Sequence, residues 1–595
     1  MAHSDKRLTL GQTGTRGGEA LPDARGTNLF HADPGYAALL SLYLEPALHA
    51  HLLPHLVRLG ELAGGALDEL AAAADRNPPL LHHRTRRGED RQWIEKHPAY
   101  RRLEEIAFGE YGLAAMSHRG GVLGWPSPMP PVVKYALTYL YVQAEFGVCC
   151  PLSMTDSLTR TLRKFGDPGL VAQFLPALTS QDLDALAQGA MFMTEQGAGS
   201  DVGATETRAV RAGAHWLLTG DKWFCSNADA ALAMVLARPE GAPGGTKGLA
   251  LFLLPRVLPD GAPNHCRIVR LKDKLGTRDM ASGEIQLDGA VAYLVGDPGR
   301  GFVQMTDMIN SSRLSNGMRA AGMMRRALTE ALYVSRRRVA FGRTLIEMPL
   351  MRRQLLKLML AAEAARSVML YTAGQLAEAD AGDEQARLRV RLLTPLLKFR
   401  ACRDARRATG DAMEVRGGAG YIEEWSDARL LRDAHLGSIW EGTSNIVALD
   451  AIRAIRRKGA LDALLPALQS LLPASALGKA LGDALGRAAE FARHAYEPDA
   501  RQAASGLYYA AAAAVLAGEG SRLAAKGDAR RLLLAALVHE HRLRLRDPLA
   551  AWNPVFEGAL AAALLPETPV KPEEAAEILA GSPPPASAGA GASRG

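Results

Sequence analysis

One stretch of this chain, residues 190–295, has the rhythm of β-strands, and helical rhythm encloses it on both sides. His215-Trp-Leu-Leu-Thr-Gly-Asp-Lys-Trp-Phe224 places β-favouring residues around Thr-Gly-Asp-Lys, which predicts a hairpin turn. Leu249 to Leu254 is a short apolar run stopped by Pro255, and Gly283 to Asp288 alternates. Gly296, Gly299 and Gly301 close the unit. Upstream, Leu39, Leu40, Tyr43 and Leu44 recur at helix spacing, as do Tyr135, Tyr139 and Val142, with Pro128, Pro130 and Pro131 as breaks. Downstream, long Arg/Leu/Ala/Met segments run from Phe302 to Lys458, and an Ala/Leu-rich helical region follows. Strands and helices kept in separate blocks predict an α+β fold with segregated layers. The boundaries read as an irregular arm (1–35), a helical domain (36–188), a β domain (189–298), a helical bundle (299–458), a further helical domain (459–563) and an unordered tail (564–595). The tail includes Pro583, Pro584 and Pro585 and has too little apolar area to order itself.

A chain of 595 residues needs more than one core. Its longest apolar run, Leu507 to Ala517, is Ala-rich and ends at Gly518 and Glu519, too short to span a bilayer. No apolar segment follows Met1-Ala-His-Ser-Asp-Lys-Arg7, so no signal peptide is expected. The five cysteines have no CxxC or framework spacing, and Cys149 and Cys150 are adjacent, which fits a reducing cytoplasm. A net charge of +7 permits weak attraction to polyanions without requiring it.

Two short motifs carry chemistry. Ser438-Ile-Trp-Glu-Gly-Thr-Ser-Asn445 sets one carboxylate, Glu441, between a Trp and a Gly-Thr, as a base on a tight turn would sit; a solvated turn glutamate is the plain alternative. Met193-Thr-Glu-Gln-Gly-Ala-Gly-Ser-Asp201 offers hydroxyls and glycines that let backbone N–H groups approach a planar, phosphate-bearing cofactor; a polar loop is the plain alternative. Gly197-Ala-Gly-Ser-Asp-Val-Gly203 is not a dinucleotide fingerprint, since its spacing is wrong and no apolar strand leads into it. No metal site is expected. His51 and His55 flank Pro54 with no third ligand, and His539-Glu-His541 reads as packing or surface histidines.

The second motif resembles the flavin-binding signature of the acyl-CoA dehydrogenase superfamily, and four further segments agree in order. These are Asp221-Lys-Trp-Phe-Cys-Ser-Asn227, Arg338-Val-Ala-Phe-Gly342, Arg416-Gly-Gly-Ala-Gly-Tyr421 and Trp440-Glu-Gly-Thr443. The resemblance covers residues 35–458. Within it Leu271-Lys-Asp-Lys-Leu-Gly276, Asn77-Pro-Pro79, His97-Pro-Ala-Tyr100 and the C-terminal extension look closest to the alkylation-response (AidB-like) flavoproteins.

The resemblance implies an N-terminal helical domain, a middle β-barrel domain and a C-terminal four-helix bundle, with FAD between the last two in a homotetramer. It implies that Met193, Thr194, Gly199 and Ser200 contact the flavin and that Phe224 and Ser226 flank its ring. Arg338 and Phe341 would meet the FAD of a neighbouring subunit, Gly417 and Gly418 would admit it closely, and Thr443 and Asn445 would complete the site. Glu441 would take the α-proton of an acyl-CoA thioester, while Ser200, Arg313, Trp440 and Gly442 line the substrate. Some family members carry their base just before the position of Arg313; Ser312 stands there and cannot serve. An electron-transfer flavoprotein or similar acceptor would take the electrons. Pro349 and Glu414 stand where the family often has FAD-holding glutamines.

A second function stays open. Arg453, Arg456, Arg457 and Lys458 cluster beyond the catalytic turn, the first three on one helix face. Arg453 falls where the alkylation-response relatives, which bind duplex DNA through their C-terminal region, have a basic residue. Arg522, Lys526, Arg530 and Arg531 form another basic group, and Arg542, Arg544 and Arg546 a third. Double-stranded DNA binding with vestigial dehydrogenase activity is therefore the alternative, a solvated helix face is the bland reading, and a flavin fold kept only as a scaffold is a third possibility.

Overall fold

A computed structural model of the chain describes residues 21–547, 549 and 553–582. The first helices are α1 (Tyr36–Leu40), α2 (Pro46–Gly64) and α3 (Ala66–Arg76). The described part of the arm is irregular but pinned: Gly26 N–H donates to Gly64 O at 2.7 Å, and Leu29 and Phe30 are buried. α2 can accept the arm only because Gly64 has no side chain, since a Cβ there would lie 1.7 Å from Thr27 O. A hairpin then interrupts the segment expected to be wholly helical, β1 (Leu80–Arg84) pairing with β2 (Asp90–Glu95). Its signal is weak because Ile94 is its only buried residue, and that side chain joins the core of the middle domain. The Gln92 amide clasps the backbone of Ile268, donating to its O and accepting from its N–H, both at 2.8 Å. Helices α4 (Pro98–Glu104), α5 (Pro131–Tyr141), α6 (Cys149–Phe165) and α7 (Pro168–Leu178) follow.

The middle domain comprises β3 (Gly189–Phe192), β4 (Arg208–Ala212), β5 (His215–Ser226), β6 (Leu232–Pro239), β7 (Ala250–Pro255), β8 (Cys266–Leu271) and β9 (Ser282–Leu294). Strands run in the order β3-β6-β4-β5-β9-β7, and β6 also pairs with β7, so the sheet closes into a barrel; β8 lies along β9. The hairpin expected at Thr219–Lys222 is absent, because β5 runs straight through it and the chain reverses earlier, at Gly213-Ala214. The polar run is a strand interior. Lys222 is fully buried and its ammonium donates to Glu195 at 2.6 Å and to Leu236 O at 2.8 Å. Gly220 passes so near Thr207 that a Cβ would meet it at 2.7 Å.

Three long helices build the bundle: α8 (Gly301–Arg337), α9 (Pro349–Asp380) and α10 (Glu384–Arg416). A two-residue ribbon, β10 (Val339–Ala340) with β11 (Arg343–Thr344), joins α8 to α9. α11 (Ser426–Gly437) and α12 (Ser444–Lys458) pack on α10. The extension consists of α13 (Ala460–Gln469), α14 (Ala476–His494), α15 (Ala500–Ala524), α16 (Arg530–Val538), α17 (Pro554–Leu564) and α18 (Pro572–Ala580). It is not a separate body: its apolar residues belong to one core with the N-terminal helices and the bundle. Alanines of α15 allow that close approach, and Ala510 to Ala514 are all buried.

Two expectations are corrected here. Arg530 and Arg531 are not surface cations: both are buried, and Arg531 pairs with Glu519 at 2.8 Å and Glu363 at 3.0 Å. The segment from 564 is ordered as far as the described residues go, to 582, because it has partners that composition alone does not show. Glu567 is buried against Arg325 of α8 at 2.6 Å, and Val570 O accepts from Ala529 N–H at 2.8 Å. Residues 583–595, with the proline run, and residues 1–20 lie outside the described residues. Among the described residues no helix is long and apolar enough to cross a membrane.

Candidate active site

The loop between α11 and α12 carries Glu441 in a left-handed backbone conformation, φ 48°, followed by Gly442 at φ 100°. A non-glycine residue in that region costs free energy and persists only where its surroundings fix it. Here they do. The Glu441 carboxylate accepts from Ser312 Oγ at 2.7 Å and from the Asn316 amide, two residues one turn apart on α8. Asn316 turns its other end to Trp440, whose indole N–H donates at 2.5 Å. The Glu441 carbonyl accepts from Arg313 Nε at 3.0 Å, and the Gly442 carbonyl accepts from Lys398 of α10. Arg313 is held in turn by Asp450 at 2.8 Å, which also binds Arg391 at 2.6 Å. Burial pushes the Asp450 carboxyl up, but Arg391 and Arg313 outweigh it and hold the carboxyl below its usual range. Burial drives the Lys398 ammonium down to about 8, against the pull of Cys402 and Glu441. The Trp440 ring stacks on Phe146 of the α5–α6 connection, centroids 5.7 Å apart and planes 17° apart.

The cradle residues lie at the middle domain's surface. Met193 and Thr194 are half-buried, and Gly199 and Ser200 are exposed. Phe224 is 64% exposed at φ 52°, beside half-buried Ser226. A Cβ on Gly197, Gly199 or Gly418 would meet nothing within 4 Å, and Gly417 has φ 72°. Thr443 occupies the N-cap of α12 yet makes no capping hydrogen bond, which leaves its hydroxyl for another partner; Asn445 beside it is exposed. Arg338 is tied by Nη1 to Arg416 O at 2.8 Å, and Phe341 is 96% exposed at φ 52°. Pro349 starts α9, and Glu414 is an exposed acceptor for Gln354 Nε2 at 3.4 Å.

Comparison with known proteins decides what this arrangement belongs to. Residues 20–185 match the Adaptive response protein AidB N-terminal domain, 190–290 the acyl-CoA dehydrogenase middle domain and 299–455 the acyl-CoA dehydrogenase C-terminal domain. The chain is 34% identical to AidB of Escherichia coli K12 over 423 residues, 69% of this chain and 75% of that one. This chain belongs to the acyl-CoA dehydrogenase family. It is also 32% identical to acyl-CoA dehydrogenase family member 11 of Caenorhabditis elegans over 448 residues, 72% of this chain and 71% of the relative. The solved structure of Caenorhabditis elegans ACDH-11 in complex with C11-CoA superposes with a TM-score of 0.80 at 27% identity, covering 92% of this chain and 95% of that one. The family's members are FAD-dependent, and its three domains with the closed middle barrel are the fold seen here.

Within this acyl-CoA dehydrogenase fold, the long-range partners of the Glu441 turn are what motif reading missed. Ser312, set aside as a base, is a hydrogen-bond donor to Glu441 instead. Asn316, Lys398, Arg391 and Asp450 were not singled out at all. A signal existed for the first: Ser312, Asn316 and Arg319 recur at helix spacing on α8 and are all buried, although a buried helix face is normally apolar. Of the basic residues on α12, Arg453, Arg456 and Arg457 are exposed, and Arg456 is tied back by a hydrogen bond to Ala495 O.

Proposed function

We propose that this chain is an FAD-dependent acyl-CoA dehydrogenase in which Glu441 removes the α-proton of an acyl-CoA thioester. The observation that carries the reading is the Glu441 turn: a left-handed glutamate whose carboxylate is aimed by Ser312 and Asn316 and whose carbonyl is fixed by Arg313. Such over-determination sets a base within reach of one hydrogen, and orientation is a large part of what a general base contributes. Gly442 lets the turn pack closely on Val447 and Arg313, and Trp440 would wall the reacting carbons. The residues present fit FAD. An exposed aromatic at Phe224 suits a planar ring, and the unengaged Thr443 N-cap suits a polar edge. The open glycines at 197, 199 and 418 suit close approach of phosphates. When bound, FAD accepts the β-hydrogen as hydride. Thr194, Ser200, Ser226, Thr443 and Asn445 would hold and orient it, and the departures at Pro349 and Glu414 make those contacts carry more of the binding. Electrons then pass to an electron-transfer flavoprotein or similar acceptor.

The test is Glu441→Gln. Reduction of bound flavin by a panel of linear, branched and aryl acyl-CoAs should fall by about 10²–10⁴-fold while the yellow cofactor remains. A variant that still bleaches at the parent rate removes Glu441 from the mechanism.

A second reading is double-stranded DNA binding, favoured by exposed Arg453 and Arg457 on α12 and by the similarity to AidB. Phosphate contacts would dominate, so a duplex gel shift should weaken steeply with salt and weaken further in Arg453→Ala with Arg457→Ala. Binding indifferent to both changes excludes this reading.

A further inference from the structure

Any aromatic ring would wall the carbons beside Glu441, but only an indole also carries an N–H in the plane of the ring. Here that N–H is used. Trp440 Nε1 donates to Asn316 Oδ1 at 2.5 Å, and Asn316 Nδ2 donates to Glu441 Oε2. The indole fixes the polarity of the amide between them. Turned over, the amide would set its NH2 against the indole N–H and its oxygen against the carboxylate, two like pairs at once. Trp440 therefore dictates that Asn316 shows the base a donor. The ring itself has little freedom: Phe146 stacks on it with planes 17° apart, and the Arg319 guanidinium lies 4.6 Å from its centre.

A carboxylate turns readily about its last bond, because a torsion between sp³ and sp² carbons is broad. One donor leaves that rotation open, whereas a donor on each oxygen closes it. Ser312 Oγ donates to Glu441 Oε1 at 2.7 Å and Asn316 takes Oε2, the two donors standing four residues apart on one face of α8. Both are buried, Ser312 at 0% and Asn316 at 1% exposure, so bulk water does not stand in for either. They are not equivalent. The Ser312 hydroxyl rotates to suit its acceptor, while the Asn316 amide is held at its far end by Trp440. Hydrogen bonds in series polarise one another, so the indole N–H also strengthens the amide's grip on the carboxylate.

We propose that Trp440 is a positioning residue for the base: its indole N–H, relayed through the Asn316 amide, fixes the plane of the Glu441 carboxylate and so the direction in which it takes a proton. The residue before the acid then does more than wall the site, and Asn316 acts without touching substrate. The inference rests on the reading of Glu441 as the base, and its test separates the two.

The full chain carrying FAD is compared with Trp440→Phe, which keeps a ring and loses only the N–H donor, with Asn316→Leu, which keeps the volume and loses the amide, and with the double variant. Single-turnover flavin reduction by acyl-CoA thioesters should fall about 10-fold in Trp440→Phe and about 10- to 100-fold in Asn316→Leu, whose half-saturating thioester concentration should hardly move. The double variant should be no slower than Asn316→Leu alone, because both changes cut one relay. A second readout needs no turnover: the indole N–H mode in ultraviolet Raman spectra, isolated as parent minus Trp440→Phe. It should shift in Asn316→Leu, and also in Glu441→Gln, which alters only the far end of the relay. A parent-like rate in Trp440→Phe overturns the proposal even if Asn316→Leu fails to fold, as do losses that multiply in the double variant or an N–H mode unmoved by Glu441→Gln. Parent-like reduction by Glu441→Gln overturns the base reading and the relay's purpose with it. An inactive Glu441→Gln beside a parent-like Trp440→Phe overturns the relay alone. An N–H mode that moves as expected, with no reduction by any thioester, supports the relay and overturns the dehydrogenase.

Discussion

At the scale of single residues, the shape of the Glu441 turn depends on the glycine that follows the acid. Gly442 holds φ 100°, and a Cβ there would press on Val447 at 3.2 Å and on Arg313 Nη2 at 3.3 Å. Gly442→Ala should therefore cost ~1–3 kcal/mol in stability through the backbone alone. It should also cut flavin reduction by about 10²-fold, because a displaced Arg313 no longer fixes the Glu441 carbonyl. Thermal melting and single-turnover reduction read the two effects separately, and parent-like turnover would show that the turn tolerates the side chain. Glu441, Thr194 and Thr443 could be singled out in the sequence because each sits in a short local motif. Asn316 and Lys398 were not, since each reaches the turn from 125 and 44 residues away respectively, through a packing that no spacing encodes.

Among elements, the junction of the α5–α6 connection, the 274–282 loop and α11 collects carboxyls away from water. Asp433 of α11 accepts the Thr277 N–H at 2.7 Å, and burial, with Asp279 and Asp75 reinforcing it against that bond, pushes its carboxyl up to about 7. Burial and the nearby Asp279 likewise raise Glu145, whose carboxylate caps the N–H of Val148 at 2.8 Å, and burial raises Asp279 itself. Facing them are Lys274, driven down to about 8 by burial, together with Arg429 and Arg432. An acid whose folded value is raised stabilises fully below its unfolded value, near 4, and loses that contribution as pH climbs through about 7. Asp433→Asn keeps an acceptor for Thr277 and never ionises. It should flatten the fall in stability between pH 4 and 8 and be the more stable protein at pH 8, by on the order of 3 kcal/mol. Denaturation at both pH values checks this, and an unchanged slope would place the titration elsewhere. The same scale shows why the β1–β2 hairpin escaped notice: a two-stranded ribbon with one buried residue leaves no alternation to read, and its Gln92 anchors it to Ile268 of β8, a strand of the middle domain.

For the whole molecule, the order helical, β, helical was legible because each block has its own hydrophobic period, whereas the ordered end beyond residue 564 was not, its stability lying in partners hundreds of residues away. The monomer also exposes Phe341 at 96%, Leu350 at 82% and Tyr421 at 80% around the ends of α8 and α10. Large exposed aromatics of that kind mark an interface. We expect a homotetramer that covers them, and Phe341→Asp should shift the protein to a smaller species in light scattering and weaken FAD retention together. A tetramer that keeps its mass and its cofactor in that variant would move the interface away from this ribbon.

One buried cation connects these scales to how the protein is made. Arg325 lies between Asp33, near the start of the chain, and Glu567, near its end. During synthesis α8 emerges long before residue 567, so until that residue is made Arg325 has Asp33 but not Glu567 to face it. A chain cut back before residue 567 leaves Arg325 with one carboxylate where the folded protein gives it two, so loss of a short segment far from α8 in sequence unsettles the centre of the bundle.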